Sequence, residues 1–109
     1  MPTIYKVLGQ SAPGATTDTT LYTVPAATDA IVSSIVVANR DTSSATFRIA
    51  IRPAGATLAN QHYIAYDVTV GASDSTVLTL GLTLDATDVI TVRASTANLS
   101  FSAYGSEIS

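Results

Sequence analysis

One hundred and nine residues, 12% of them charged and none of them cysteine, suffice for one hydrophobic core but not two; they exclude a disulfide framework, a thiolate metal site and a cysteine nucleophile. A net charge of −3 with five scattered basic residues, Lys6, Arg40, Arg48, Arg52 and Arg93, argues against a nucleic-acid partner, and no apolar run approaches the ~20 residues of a membrane span. The missing charge is replaced by 17 Thr, 12 Ser and 17 Ala, a hydroxyl and methyl surface expected to be covered in part by other copies of the chain or by a partner.

Period-two alternation runs along the whole chain, and no stretch of a dozen residues repeats its apolar positions at three and four, so the fold is expected to be all-β. Residues 4–8 form the first expected strand. Lys6 is followed only by Val7 and Leu8 before Gly9, far short of a signal-peptide apolar region, so export by that route is not expected. Residues 9–18, with Pro13 and Gly14 among small polar side chains, are expected as an extended N-terminal arm lying across a neighbouring subunit. Residues 19–24 form a second strand that stops at Pro25, which has no N–H for a ladder. Residues 30–39 are apolar on both sides, with Ile31, Ile35 and Val37 alternating against Val32, Val36 and Ala38. That pattern belongs at a sheet centre or beneath a second layer.

Beyond the turn at 40–45, residues 46–52 alternate with Phe47, Ile49 and Ile51 inward and Arg48, Ala50 and Arg52 outward, and Pro53 ends the strand. A loop over 54–61 leads to a strand at 62–70 with Ile64, Tyr66, Val68 and Val70 on one face. Residues 71–75 read as a hairpin connection into 76–84, where Leu78, Leu80, Leu82 and Leu84 mark the core side and Gly81 opposite them suggests a bulge or a close backbone neighbour. Strands at 89–94 and 99–104 complete the series. About eight short strands joined by tight turns predict an antiparallel β-sandwich, jelly-roll or immunoglobulin-like, with residues 1–18 as strand and arm and 19–109 as the sandwich within a single domain.

Few residues suggest chemistry. His62 is the only histidine and no serine sits in a Gly-x-Ser-x-Gly turn, so it reads as a structural strand-end residue, and neither an enzyme nor a cofactor is expected. Asp85 and Asp88 lack the ligand density of a calcium loop and read, with Asp74 and Asp18, as turn residues, so no metal is expected. Arg48 and Arg52 share one strand face and are candidate polar contacts for an acidic partner surface. Tyr63 and Asp67, placed by alternation opposite Ile64 and Tyr66, pair an aromatic with a carboxylate, as a sugar-binding surface does.

Leu21-Tyr22-Thr23-Val24-Pro25-Ala26-Ala27-Thr28 and the following strand to Val36-Val37-Ala38-Asn39-Arg40 resemble small virion proteins of tailed bacteriophages. Three further stretches carry the same likeness: Phe47 to Gly55 (FRIAIRPAG), Asn60 to Asp67 (NQHYIAYD), and Leu80 to Val92 (LGLTLDATDVITV) with the ending Phe101 to Ile108 (FSAYGSEI). The resemblance spans nearly the whole chain. It implies a non-enzymatic sandwich used in many copies, often as trimers, assembled in the bacterial host cytoplasm and resident in the virion. The role it implies is capsid decoration or cement, bound to the major capsid protein; a tail, collar or fibre component and a carbohydrate-binding module for host attachment are the alternatives. Ile4, Tyr5 and Val7 are the expected partner contacts, with Arg48 and Arg52 as polar partners, and Tyr63 with Asp67 would form the glycan surface.

Overall fold

The structure is a computed structural model and describes residues 2–109. Eight strands, β1 (Thr3–Ser11), β2 (Thr19–Thr23), β3 (Asp29–Asn39), β4 (Ala45–Arg52), β5 (Tyr63–Val70), β6 (Ser75–Leu84), β7 (Val89–Ala94) and β8 (Leu99–Ile108), are accompanied by two 3₁₀ turns at Pro53–Gly55 and Asn60–His62. They form two four-stranded antiparallel sheets, sheet A in the order β1-β8-β3-β6 and sheet B in the order β2-β7-β4-β5. The sheets pack face to face over one aliphatic core, in keeping with the expected sandwich. Its centre is an edge-to-face pair, Phe101 from sheet A and Phe47 from sheet B, with ring centroids 6.1 Å apart.

The pairing is nested. β1 lies against β8, β2 against β7, β3 against β6 and β4 against β5, as if one long antiparallel ribbon doubled back between β4 and β5 and then rolled up. The pairs β3–β8 and β4–β7 close the ribbon into its two sheets. Every connection except β4 to β5 therefore crosses from one sheet to the other. The 71–75 segment, expected as a hairpin, is one of these crossings: Asn39 donates its backbone N–H to Asp74 and Ser73 donates to Asp41, which ties the segment to the β3–β4 turn. Turn chemistry is the same for a hairpin and a corner, which is why the residues alone read as a hairpin.

Two bulges reverse the expected faces. Ser33 is an extra residue in β3 relative to β8, between the pairs Val32–Gly105 and Ser34–Tyr104, and its hydroxyl donates to the Tyr104 carbonyl at 3.0 Å. Ala30 and Val32 before it, and Ile35 and Val37 after it, all face the core, whereas Ile31 is 39% exposed. In β5 the pairs Phe47–Val68 and Ile49–Ala65 leave one residue too many at Tyr66 and Asp67, where Asp67 has a φ of 52°. Ala65 is buried, while Ile64 and Tyr66, expected on the core face, lie in solvent.

Smaller departures have local causes. Ala50, expected outward, is buried where the Asn60–His62 turn packs against β4. Gly81 has open space around it, so of the two readings of that glycine the register irregularity between β3 and β6 is the one present. The strand expected at 4–8 extends to Ser11 along β8. Of the expected arm, only residues 12–18 lie outside a strand, and Ala15 bridges to Ala94 with the Thr16 N–H donating to its carbonyl at 2.7 Å. This segment therefore runs along its own β7.

Candidate functional site

The two outer sheet faces differ in chemistry. On sheet A the outward positions carry Tyr5 and Val7 from β1, Tyr104 from β8, Ile31 and Val36 from β3 and Val77 from β6, interspersed with serine and threonine. Tyr5 is 84% exposed and Val77 59%. Between Asp29 at one end and Arg40 just past the other, the described outward residues bear no charge; Lys6 turns to the opposite side of β1, where its ammonium meets Glu107 at 3.1 Å. Tyr5, Val7, Ile31 and Tyr104 line a shallow groove of about 640 Å³ across β1, β8 and β3. Ile4, also half exposed, faces the other way, so the three expected β1 contacts do not form one patch.

Sheet B is charged and ordered on its outer side. The bulge turns both Tyr66 and Asp67 toward Arg48. The Arg48 guanidinium donates from Nε to Asp67 Oδ1 at 2.7 Å and from Nη2 to Oδ2 at 3.3 Å, and its Cζ lies 4.0 Å from the Tyr66 ring centroid. Tyr63 meets Tyr66 edge to face at 4.9 Å. The hydrogen bond from Arg48 holds the Asp67 carboxyl below its ordinary range, and the same bond raises the Arg48 guanidinium. Arg93 sits directly across the ladder from Arg48 and reaches Asp18 at 3.6 Å, so Asp18, expected as a turn residue, serves as a countercharge. Arg52 lies on the same face as Arg48 but is engaged locally, donating to Thr91 Oγ1 and the Ala56 carbonyl. Tyr63, Asp67, Arg48 and Arg52 are thus brought to one side of the molecule, while Tyr5 and Val7 are on the other. Alternation alone pairs Tyr63 with Asp67; it misses Tyr66, because the bulge has no marker residue in the sequence.

Where β1 and β2 meet, Tyr22 on sheet B donates its hydroxyl to Glu107 on sheet A, and Lys6 holds the other carboxylate oxygen. The hydrogen bond from Tyr22 is the main cause of a Glu107 carboxyl below its ordinary range, with Lys6 adding to it; burial, then Glu107, pushes the Tyr22 hydroxyl above the tyrosine range. A depressed carboxyl stabilises the fold above its unfolded value of 4.5 and loses that contribution as pH falls through the folded value. Urea denaturation of Glu107→Gln and the native chain is expected to differ most at neutral pH, the difference narrowing below the unfolded value and closing once pH is below the folded value. A gap independent of pH would show that the carboxylate charge plays no part.

The remaining candidates are structural. His62 is buried, and its Nδ1 accepts the Ala59 N–H at 3.0 Å. Asp88 accepts from the Asp85 and Ala54 backbone N–H groups, and Asp85 from that of Ala86, so both carboxylates serve their turn. No group of three or more metal-ligating side chains occurs among the described residues. No protein-family model matches the chain, and no curated protein matches it.

Proposed function

We propose that the chain is a non-enzymatic structural protein of a tailed-bacteriophage virion, a jelly-roll capsid decoration protein that binds the major capsid protein and copies of itself. The observation that carries this reading is the uncharged outer face of sheet A. Soluble proteins normally protect an exposed sheet with charge, and a broad uncharged face with two tyrosines and four aliphatic side chains is suited to being covered. By strand spacing and rise this face spans about 600 Å², close to the ~800 Å² that one partner contributes to a standard stable interface. A wall without charge meets its own copy without like-charge repulsion, which suits a closed homo-oligomer such as a trimer.

The nested strand order supports the jelly-roll form of the sandwich, since two interleaved sheets from one rolled ribbon are the double Greek key of that architecture. The likeness of the sequence to phage virion proteins supports the location. Many modest contacts repeated on a symmetric shell act together, so each copy needs area more than chemistry. His62 supports a non-enzymatic role, because its Nδ1 already serves a backbone N–H and its ring is buried.

The test is occupancy on purified capsids. Tyr5→Lys combined with Val77→Lys places charge on this face at side chains exposed enough to leave the fold intact, as circular dichroism would check. Bound copies per particle are expected to fall at least tenfold, the effect of burying an unpaired ammonium at a contact. Unchanged occupancy, or absence of the chain from purified phage, would overturn the proposal. Antibody labelling confined to the tail would replace capsid decoration by a tail or collar role.

A further inference from the structure

The outer face of sheet B carries a second feature, independent of the proposed virion role and on the opposite side of the molecule. Beside the Arg48–Asp67 pair lies a pocket of about 200 Å³ lined by Thr16, Thr46, Arg48, Asp67, Arg93 and Ser95. At ~30 Å³ per water that is room for about six or seven waters, the size of one pyranose ring. We propose that this pocket binds a carboxylated pyranose, an acidic monosaccharide unit of a surface glycan.

Two arginines stand directly opposite each other on adjacent strands, a placement that like charge disfavours unless something compensates. Asp67 compensates Arg48 through two hydrogen bonds. Asp18 only partly compensates Arg93, because a contact of 3.6 Å is longer than a hydrogen bond and leaves the Arg93 N–H groups available. A planar carboxylate is the acceptor that fits such a fork. A phosphate dianion fits less well, since Asp67 offsets Arg48 and Asp18 offsets part of Arg93, which leaves only a fraction of one positive charge for a ligand. The Thr46 and Thr16 hydroxyls, the Ser95 hydroxyl, whose oxygen accepts the Thr46 N–H at 2.9 Å, and the outer oxygens of Asp67 offer partners to ring hydroxyls.

Pre-organisation comes from the bulge. Asp67 adopts its left-handed φ of 52° and thereby faces Arg48 together with Tyr66, whose ring supports the guanidinium from beneath, with Tyr63 edge-on behind it. Bulges that re-aim a side chain are common beside binding sites, and a guanidinium fixed by a carboxylate and a ring loses little freedom when a ligand arrives.

Amide NMR titration of the intact chain tests this, with glucuronate, galacturonate and N-acetylneuraminate as ligands and glucose, acetate and inorganic phosphate as controls. Saturable shifts at Thr16, Thr46, Arg48, Asp67, Arg93 and Ser95 are expected with at least one sugar acid at roughly millimolar concentration, and weaker shifts with every control. Arg93→Gln, with the rest of its spectrum unchanged, is expected to weaken binding about tenfold or more, whereas Tyr5→Lys on the far face leaves it unchanged. No saturable shift with any of the three acids, equal shifts with acetate or phosphate, or full binding by Arg93→Gln would each overturn the proposal.

Discussion

Gly105→Ala is expected to unfold the protein or to lower its stability by on the order of 3 kcal/mol or more, the range of steric overpacking that cannot relax. A Cβ at this position would stand 1.9 Å from the backbone oxygen of Ile31 and 3.0 Å from the Cα of Val32. Neither atom can rotate away, because Gly105 pairs with Val32 at the central β3–β8 ladder, directly before the bulge at Ser33. Relief requires separating two strands that hold sheet A together. Gly9 is similar, with a Cβ falling 2.1 Å from the Leu21 oxygen where β1 approaches β2. The contrast is Gly81, where an added Cβ would meet no atom within 4 Å beyond its chain neighbours and φ lies outside the left-handed region. Gly81→Ala is expected to be neutral or to stabilise by about 0.5 kcal/mol through the restricted unfolded chain. Thermal and urea denaturation of the two variants side by side measures this, and equal stabilities would refute the packing argument.

Asn39→Ala is expected to cost about 2–4 kcal/mol, the range for stranding several buried polar groups at once. Asn39 ends β3 almost fully buried, and its amide Nδ2 donates to the carbonyls of Ser43 at 2.8 Å, Gly71 at 3.1 Å and Val70 at 3.4 Å, while its Oδ1 accepts the Asp41 N–H at 3.0 Å. One side chain thus clamps the β3–β4 turn on one side and the β5–β6 crossing on the other. Asn39→Asp separates hydrogen bonding from volume. It keeps the shape but points a carboxylate oxygen at carbonyl oxygens, so at pH 7 it is expected to be at least as damaging as alanine. A urea midpoint for Asn39→Asp near that of the native chain would show that the donor is dispensable.

Asn39 is invisible to a search for functional residues, because an asparagine at the end of an apolar strand reads as ordinary turn chemistry. Its importance arises only when the crossing at 70–71, some thirty residues away, is folded over it. The outer-face cluster of sheet B was legible in half: Arg48 faces outward by alternation from Phe47 and Ile49, and Tyr63 with Asp67 follow by the same rule. Tyr66 did not follow, since the extra residue at Asp67 is accommodated by an aspartate with positive φ where glycine would have announced it. The bulge at Ser33 is equally unmarked, and it puts Ile31 on the face opposite Ile35 and Val37, with which alternation groups it.

What the sequence determined by itself is the set of strands and most of their inward sides. The β7 limits, the leucine row of β6 and the burial of Phe47 and Ile49 follow from period-two alternation and the turn residues between strands, both of which are local properties. What only the tertiary structure decided is which strands are neighbours and which of two outer faces is bare of charge. The outermost pair, Thr3 with Ile108, joins the two ends of the chain. The alternation within each strand is compatible with any partner; the nested arrangement is selected by burying both sheets' apolar sides on one another at once.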